Sequence, residues 1–303
     1  MSRFSFSSFG LPILTLGLLS GCTAGSSANS VVEGFFSAVN KSNFETAKVQ
    51  YLSTVLTNTL NSRSGGHDSI QDSFQQVIGR IDSVNVQGTQ VQGETATATA
   101  YLTKPWGEKW RCRIELVKEG GRQWKISDWH DPERVGQEHL AKASQQCWEN
   151  LNAASNEYQA ALAENPKDAS ILHSWGLCCM SRDPAAAEKK INEALRYCAD
   201  FCADEYFLLA VLYEKQGKLA AGEASAQRAI GSKSRLAITP EQARAGAYSM
   251  LAELYVDGSK FDQAIGAAQK ALTLSPDEAT AMDALGWAYY RKGDRAQALK
   301  YLS

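Results

Sequence analysis

The chain has 303 residues, of which 44% are hydrophobic and 21% charged, which is enough for about two globular domains and too apolar for a disordered protein. Its 31 lysines and arginines almost balance its 33 aspartates and glutamates, so the formal net charge is only −2. Because proteins that bind nucleic acid usually carry a basic excess, this composition argues against a nucleic-acid partner. A mean hydropathy of −0.31 is typical of a body that is soluble in water.

The N-terminal segment contains an apolar run at residues 9–19, which ends in the motif Leu19-Ser20-Gly21-Cys22. The run is too short to cross a bilayer as a helix. It resembles the signal peptide of bacterial lipoproteins, which is cleaved before a cysteine whose thiol is acylated. The resemblance implies a signal peptide over residues 1–21 and lipidation of Cys22. An ordinary secretory signal with an incidental cysteine is the alternative.

The residue after the predicted acylation site is Thr23 rather than the aspartate that marks inner-membrane lipoproteins. The resemblance therefore implies an anchor in the outer membrane, with the protein facing the periplasm. Residues 22–30 are rich in serine, alanine and glycine, and we interpret them as a short tether.

Residues 31–131 predict a first domain in which helices precede strands. Apolar residues recur at helical spacing from Val32 to Leu52, and a further short helix is expected over residues 69–79. The hydrophobic period then changes to two, which is typical of strands. Four strands are expected at residues 84–86, 95–103, 110–116 and 123–129. The pattern predicts an α+β domain with a four-stranded antiparallel meander.

This domain resembles the small nuclear-transport-factor-2-like domains of bacterial lipoproteins in three of its strand sequences, QVQGETATATAYLT, EKWRCRIELVKEGG and RQWKISDW. The resemblance covers residues 30–130. It implies a cone-shaped domain whose curved sheet wraps around the helices. The interior of such a cone binds a small molecule, catalyses a reaction or is filled by side chains, and the fold alone does not choose among these.

Polar residues that could serve such a pocket are His67, Asp68, Asp128, His130 and Asp131. They fall in predicted loops or directly after the last strand, where surface and linker positions are typical. No nucleophile, phosphate-binding loop or metal-ligand spacing accompanies them, so we expect no catalytic residue, metal or cofactor. The aromatic candidates for a pocket lining are Trp106, Trp110, Trp124 and Trp129. Alternation with isoleucine and leucine on the strands favours the core for Trp110 and Trp124.

Apart from Cys22, the cysteines are Cys112, Cys147, Cys178, Cys179, Cys198 and Cys202. The periplasm permits disulfides, and six cysteines allow 15 pairings. We expect a Cys198–Cys202 bridge, since both fall in a loop between helices; on one helix, i,i+4 cysteines would lie out of reach. Cys178 and Cys179 fall at helix positions that are usually buried, where packed thiols are the alternative to a bridge.

The remainder of the chain is predicted to be helical. Repeats are expected over residues 169–303. Residues 132–168 are interpreted as linking helices with a degenerate opening repeat, because their second half already shares the register of those repeats. The last repeat is incomplete in the sequence, since it reaches Ser303 before the alanine that would close its second helix. We therefore expect apolar surface at that end of the array.

One pattern recurs in this region at a spacing of 34 residues, at Trp175 and Leu209 and, after an insertion, at Leu251 and Leu285. Each of these residues is followed by glycine or alanine, which lets two helices approach closely. A 34-residue period is the signature of tetratricopeptide repeats, in which helix pairs stack into a solenoid. The sequence thus predicts an all-α solenoid after the α+β domain.

In the family that these repeats resemble, the first helices line a concave groove that holds another polypeptide. The corresponding positions here are His173, Leu177, Phe207, Val211, Glu214, Ser249, Glu253, Asp283, Trp287 and Tyr290. The predicted lining is apolar with a few acids. The Lys/Asn/Arg set that holds a terminal carboxylate in chaperone-binding members is missing from the corresponding places. We expect a partner to be held by apolar anchors or as a helix laid in the groove.

These features predict a membrane-anchored periplasmic scaffold that binds a protein or peptide, in envelope, secretion or pilus assembly. No feature points to a small-molecule ligand. The alternative is ligand binding or enzymatic activity in the α+β domain, with the repeats for recruitment. An unfilled pocket with convergent titratable groups would favour that alternative.

Overall fold

The computed structural model describes residues 27–41, 43–54, 56–58, 81–130, 133–237 and 239–302. The predicted signal peptide, Cys22 and the helix expected over residues 69–79 lie outside the described residues. So do three of the candidate pocket residues, His67, Asp68 and Asp131.

The N-terminal region begins with helix α1, Ala28–Asn40. The backbone N–H of Ser30 donates to the hydroxyl of Ser27 at 3.2 Å and caps this helix. Residues 28–30 are therefore helical, and the prediction that they belong to the tether was wrong. A short helix α2, Phe44–Thr46, continues as a π-helical turn, Ala47–Tyr51.

Four strands come next in a meander, which confirms the predicted antiparallel sheet. They are β1 Ser83–Gln92, β2 Thr95–Thr103, β3 Lys109–Glu119 and β4 Gln123–Trp129, each antiparallel to the next. A further strand, β5 Glu133–Arg134, pairs with β3 beyond the predicted domain boundary. The sequence did not show β5, because two residues are too few to display a period of two.

The core of this region lies between α1 and one face of the sheet. Phe35 and Phe36 of α1 are fully buried, and so are Leu102, Ile114 and Ile126 of the strands. Strand β2 alternates between buried alanines and more exposed threonines, which gives one apolar and one polar face. The small alanines leave room for the phenylalanine rings of α1 to approach the sheet.

The helical region consists of successive antiparallel pairs. They are α3 Gln137–Gln146 with α4 Leu151–Glu164, α5 Ala169–Cys179 with α6 Pro184–Ala194, α7 Ala203–Lys215 with α8 Leu219–Gly231, α9 Pro240–Asp257 with α10 Phe261–Leu274, and α11 Ala279–Lys292 with α12 Arg295–Leu302. Close approach within a pair depends on small residues, as predicted. At Gly176 of α5, a Cβ atom would lie only 2.7 Å from the side chain of Ile191 in α6.

Two disulfides brace this region. Cys198 and Cys202 form one of them in the turn between α6 and α7, with Cα atoms 5.2 Å apart, so they do not share a helix. Cys147 and Cys178 form the other and tie the end of α3 to α5. Cys178 is therefore bridged rather than a packed thiol, whereas Cys112 and Cys179 are buried thiols.

The sheet and the repeats meet at a buried polar cluster around Glu108. The carboxylate of Glu108 accepts hydrogen bonds from the indoles of Trp106 and Trp110, at 3.0 and 2.6 Å. Burial alone would raise the pKa of Glu108, but nearby Arg134 and the other donors hold that pKa below its usual value. Arg134 of β5 also pairs with Asp168 at 3.2 Å, and Asp168 is completely buried before α5.

The closest backbone approach at this junction is at Gly107, which has a φ of +84°. A Cβ atom there would lie 1.8 Å from the carbonyl oxygen of Lys167, so only glycine fits. The N–H of Ala169 donates to the carbonyl of Trp106 at 3.0 Å beside it. The loop between β2 and β3 is therefore seated directly against the start of the repeats.

Among the described helices, none is long and apolar enough to cross a membrane.

Candidate functional site

The first helices of successive repeats, α5, α7, α9 and α11, contact one another in order and form a common surface. We call this surface the first-helix face. Four predicted groove residues on it are largely open to solvent: Leu177 (54% exposed), Phe207 (38%), Trp287 (50%) and Tyr290 (52%). The rings of Trp287 and Tyr290 meet edge to face, with centroids 5.7 Å apart.

The other predicted groove residues differ in exposure. Val211, Glu214 and Glu253 are half-buried and Asp283 is exposed, as a surface role requires. His173 is mostly buried, with 13% of its side chain exposed. The prediction was wrong for Ser249, which is 1% exposed. Its hydroxyl donates to the carbonyl of Ala245 at 3.0 Å, because so short a side chain reaches only its own helix.

Carboxylates gather at the C-terminal end of the first-helix face. They are Glu214 of α7, Glu253 and Asp257 of α9, Glu278 before α11 and Asp283 within it. Burial and the four neighbouring carboxylates raise the pKa of Glu253 to about 7. Burial and Asp257 also raise the pKa of Glu214, which Lys215 partly offsets. None of these five carboxylates lies within ion-pairing distance of a cation in the described part of the chain.

The inserted loop between α8 and α9 folds back onto the N-terminal end of α7. Its Arg235 forms a bidentate ion pair with Glu205, with one N–O distance of 3.1 Å, and donates to the carbonyl of Phe201 at 2.9 Å. Both side chains of the pair are buried. Asp204 adds two contacts to the loop by accepting from the hydroxyl of Ser234 and the backbone N–H of Arg235. The insertion is thus anchored to the repeat that precedes it.

Glu205 is fully buried yet charged. Burial alone would raise its pKa, but His173 and Arg235 hold that pKa below its usual value. Nδ1 of His173 lies 3.3 Å from the Glu205 carboxylate, close enough for an ion pair but without hydrogen-bond geometry. Sequence reasoning missed this cluster. Two features of the sequence could have indicated it. Glu205 is an acid with apolar residues four positions before and after it, at Phe201 and Leu209, and Arg235 is an arginine in the insertion.

The anchored loop forms one wall of an open, mostly apolar pocket of about 410 Å³ on the first-helix face. Its apolar lining includes Phe207, Leu208, Leu236, Ala237, Ala243 and Gly246, and its polar lining consists of His173, Asp204, Ser234 and Gln242. Leu236 of the loop is 66% exposed at the rim. The pocket is of the size and character that holds a large apolar group.

The two polar candidates of the N-terminal region that the structure describes, Asp128 and His130, do not line a common pocket. Asp128 and His130 are exposed, and the imidazole of His130 faces Glu115 at 3.5 Å. Trp124 is buried in the core, as expected, whereas Trp106 packs edge to face on Phe201 of the repeats, with centroids 5.0 Å apart. The described part of the chain contains no group of three or more histidines, cysteines and acids arranged to hold a metal.

A larger cavity of about 1000 Å³, also open to solvent, lies where the sheet meets the first helical pair. Its lining is polar and apolar in about equal parts and includes Trp110, Val135, Arg111, Glu133 and Glu164. Arg111 and Glu133 pair with each other at 2.7 Å, so their charges are already matched. The cavity therefore offers no free charge from this pair to a ligand.

A family model for the tetratricopeptide repeat matches residues 249–303. No curated protein matches the chain. Among solved structures, PilW, described as a widely conserved type IV pilus biogenesis factor, is 19% identical, with 55% of this chain and 74% of that chain covered and a TM-score of 0.45. MamA from Desulfovibrio magneticus RS-1 is 19% identical, with 55% and 91% covered and a TM-score of 0.45.

YrrB, described as a tetratricopeptide-repeat protein with an unusual peptide-binding site, is also 19% identical, with 54% of this chain and 81% of that chain covered and a TM-score of 0.41. The family match covers most of the last two helix pairs, which contain Leu251 and Leu285 of the 34-residue spacing, and does not extend to Trp175 and Leu209. The C-terminal half of the chain therefore contains tetratricopeptide repeats.

Proposed function

We propose that this protein is a lipid-anchored scaffold of the bacterial periplasm that binds another protein through its first-helix face. The observation that carries the proposal is the open apolar surface on that face, above all Trp287 and Tyr290, each about half exposed. Large aromatic side chains left in solvent are typical anchors of protein interfaces. Solenoids of helix pairs use this side for binding, since their core positions are occupied by packing between neighbours.

The anchor and the compartment rest on two further observations. The motif Leu19-Ser20-Gly21-Cys22 ends an apolar run of signal-peptide length. The disulfides Cys147–Cys178 and Cys198–Cys202 suit an oxidising compartment such as the periplasm. Both support export of the chain, and Thr23 after the cysteine supports the outer membrane as its destination.

For the N-terminal domain we propose a nuclear-transport-factor-2-like fold with an accessory role, which does not catalyse a reaction. The helix-then-meander order and the packing of α1 on the sheet support this fold. The packed interior, with Phe35, Phe36 and Ile114 fully buried, supports a structural role for the described core.

The binding proposal is tested by placing a photo-crosslinking amino acid at Leu177 or Tyr290 in cells of the source bacterium. Val91 on β1 is the matched control, because it is 57% exposed and apolar but lies on the sheet. We expect a discrete adduct from the two repeat positions and none from Val91. Equal adducts from all three positions, or an adduct from Val91 alone, would reject the first-helix face as the binding surface.

The anchor is tested by Cys22→Ala. Several acyl chains, each contributing about 0.8 kcal/mol per buried methylene, would hold the protein durably on a membrane. We expect the variant to move from the membrane fraction to the soluble fraction. Membrane retention of the variant equal to that of the unaltered protein in high salt would reject the lipoprotein assignment.

A further inference from the structure

The first-helix face changes character along its helices. On α7, Phe207 lies at the apolar pocket and Glu214, seven residues on, lies among the carboxylates. On α9, Gly246 and Glu253 have the same separation and the same two surroundings. Seven residues are two helical turns, so each pair shares one face and is about 10 Å apart along the helix. An apolar pocket and an acidic patch therefore lie side by side at a defined distance.

The pocket is built by contacts that hold the inserted loop in place. Arg235 is buried against Glu205, and Asp204 accepts hydrogen bonds from the loop backbone and from Ser234. These contacts also neutralise the one buried acid beneath the loop. The loop then adds Leu236 and Ala237 to the apolar lining. The pocket exists without a partner, which reduces the ordering cost of binding.

Lys215 only partly offsets the effect of Asp257 on Glu214, and in the described part of the chain no cation lies within ion-pairing distance of the acidic patch. Its central residue, Glu253, is half-buried and faces Glu214, Asp257, Asp283 and Glu278. Like charges held this close repel one another, and partial burial reduces the screening by water. A lysine or arginine placed among them would relieve that repulsion. Charge complementarity thus selects a basic group as the neighbour of whatever fills the pocket.

Building on the function proposed above, we propose that the partner presents a segment with one bulky apolar side chain for the pocket and lysine or arginine for the carboxylates, about 10 Å away. In an extended segment this distance corresponds to about three residues, and in a helical segment to about seven. The near-neutral charge of the whole chain does not reveal this preference, because a net charge does not tell where on the surface the acids are grouped.

The test is selection of a random 12-residue peptide display library on the purified full chain in detergent. We expect enrichment of peptides with a leucine, phenylalanine or tryptophan three or seven residues from a pair of basic residues. Binding of a selected, fluorescein-labelled peptide is then measured by fluorescence anisotropy. Raising the salt concentration should weaken it, since the acidic patch is exposed to solvent.

Two pairs of variants test whether the selected peptide binds to both the apolar pocket and the acidic patch. Gly246→Leu introduces a side chain at a pocket-lining position where a Cβ atom meets nothing within 4 Å, and should weaken binding at least tenfold. Gly266→Leu on α10 is the matched control, with equal space around its Cβ and no place in the pocket. Asp283→Lys should weaken binding at least tenfold, whereas Glu149→Lys, at an exposed position on the opening helical pair, should not.

Glu253→Gln, which keeps the shape of the side chain, is a further check should Asp283→Lys alter folding. Its melting is monitored by circular dichroism, and weaker binding without a fall in melting temperature supports the proposal. Selected peptides that depend on Trp287 but lack the apolar–basic pattern would overturn this inference and leave the scaffold function intact. If no peptide binding depends on any first-helix residue and the photo-crosslinks also fail, both proposals are wrong.

Discussion

The N-terminal sheet domain and the repeat array differ in where they place their large apolar side chains. In the sheet domain, α1 covers one face of the strands, and Phe35, Phe36 and Ile114 are fully buried between them. In the repeats, each helix pair packs on its neighbours, yet Leu177 and Trp287 remain half exposed on the first-helix face. A closed layer of helix on sheet uses its apolar surface for stability. An open solenoid buries only the contacts between neighbours and keeps one face for a partner.

The largest contrast is expected from deleting an apolar side chain in each region. Phe35→Ala should lower the free energy of unfolding of the sheet domain by about 3–5 kcal/mol, since it leaves a cavity in a filled core. Leu177→Ala should change the stability of the repeats by no more than about 0.5 kcal/mol. Amide hydrogen exchange, detected by mass spectrometry in β2, β3 and α5, measures each region separately. Equal decreases in the free energy of unfolding of the two regions would contradict the distinction between a filled core and an exposed binding face.

Gly107→Ala tests whether the two regions act as one body. The new Cβ would meet the carbonyl of Lys167 at a residue whose φ is +84°, so the junction should lose about 2 kcal/mol or more and open. Differential scanning calorimetry should then show two unfolding transitions in place of a coupled one. Gly93→Ala is the control, with a φ of +62° but nothing within 4 Å of its Cβ. If both variants behave alike, backbone strain and not the junction contact is responsible.

We expect Glu253 to make the repeats sensitive to pH near neutrality. Its pKa is raised from 4.5 to about 7 in the folded protein, so the folded state binds its proton more tightly than the unfolded state. This stabilising contribution is fully present below pH 4.5 and is lost as the pH rises through 7. Glu253→Gln should remove that loss. The variant should therefore be more stable than the unaltered protein at pH 8, by about 1 kcal/mol after allowance for solvent screening.

Urea unfolding of the repeats at pH 5 and pH 8 measures this effect. Asp283→Asn is a useful comparison, because its side chain is exposed and its loss removes only one of the charges around Glu253. A pH dependence of Glu253→Gln that parallels the unaltered protein would show that Glu253 does not titrate in this range.

The smallest effect on stability is expected from removing the exposed rings of Trp287 and Tyr290. The double change Trp287→Ala and Tyr290→Ala removes exposed rings, so the free energy of unfolding should change by no more than about 0.5 kcal/mol. Crosslinking from Leu177 to the partner should nevertheless fall sharply. Circular dichroism melting and adduct yield are measured on the same variant. A large fall in melting temperature would place these rings in the core rather than at a binding surface.

Features that depend on local spacing could be predicted from the sequence. The 34-residue recurrence of Trp175, Leu209, Leu251 and Leu285 indicated the helix pairs, because helical side chains repeat with a fixed period. The alternation in β2 and β3 indicated the antiparallel meander for the same reason. Most of the first-helix face could be inferred from register within these repeats. The burial of Ser249 could not be inferred, since a register position does not tell how deeply the neighbouring helices bury a side chain.

Only the tertiary structure decided which residues far apart in the chain contact each other. The sequence by itself determined the order of the two regions, their secondary structure and the charge and size of the residues on the first-helix face. It did not decide that Arg235 pairs with Glu205, that Cys147 bridges to Cys178 or that Gly107 meets Lys167. Such contacts have no period along the chain, because they depend on how a loop returns across elements already formed. The apolar pocket is complete only because the inserted loop folds back in this way and adds Leu236 and Ala237 to its lining.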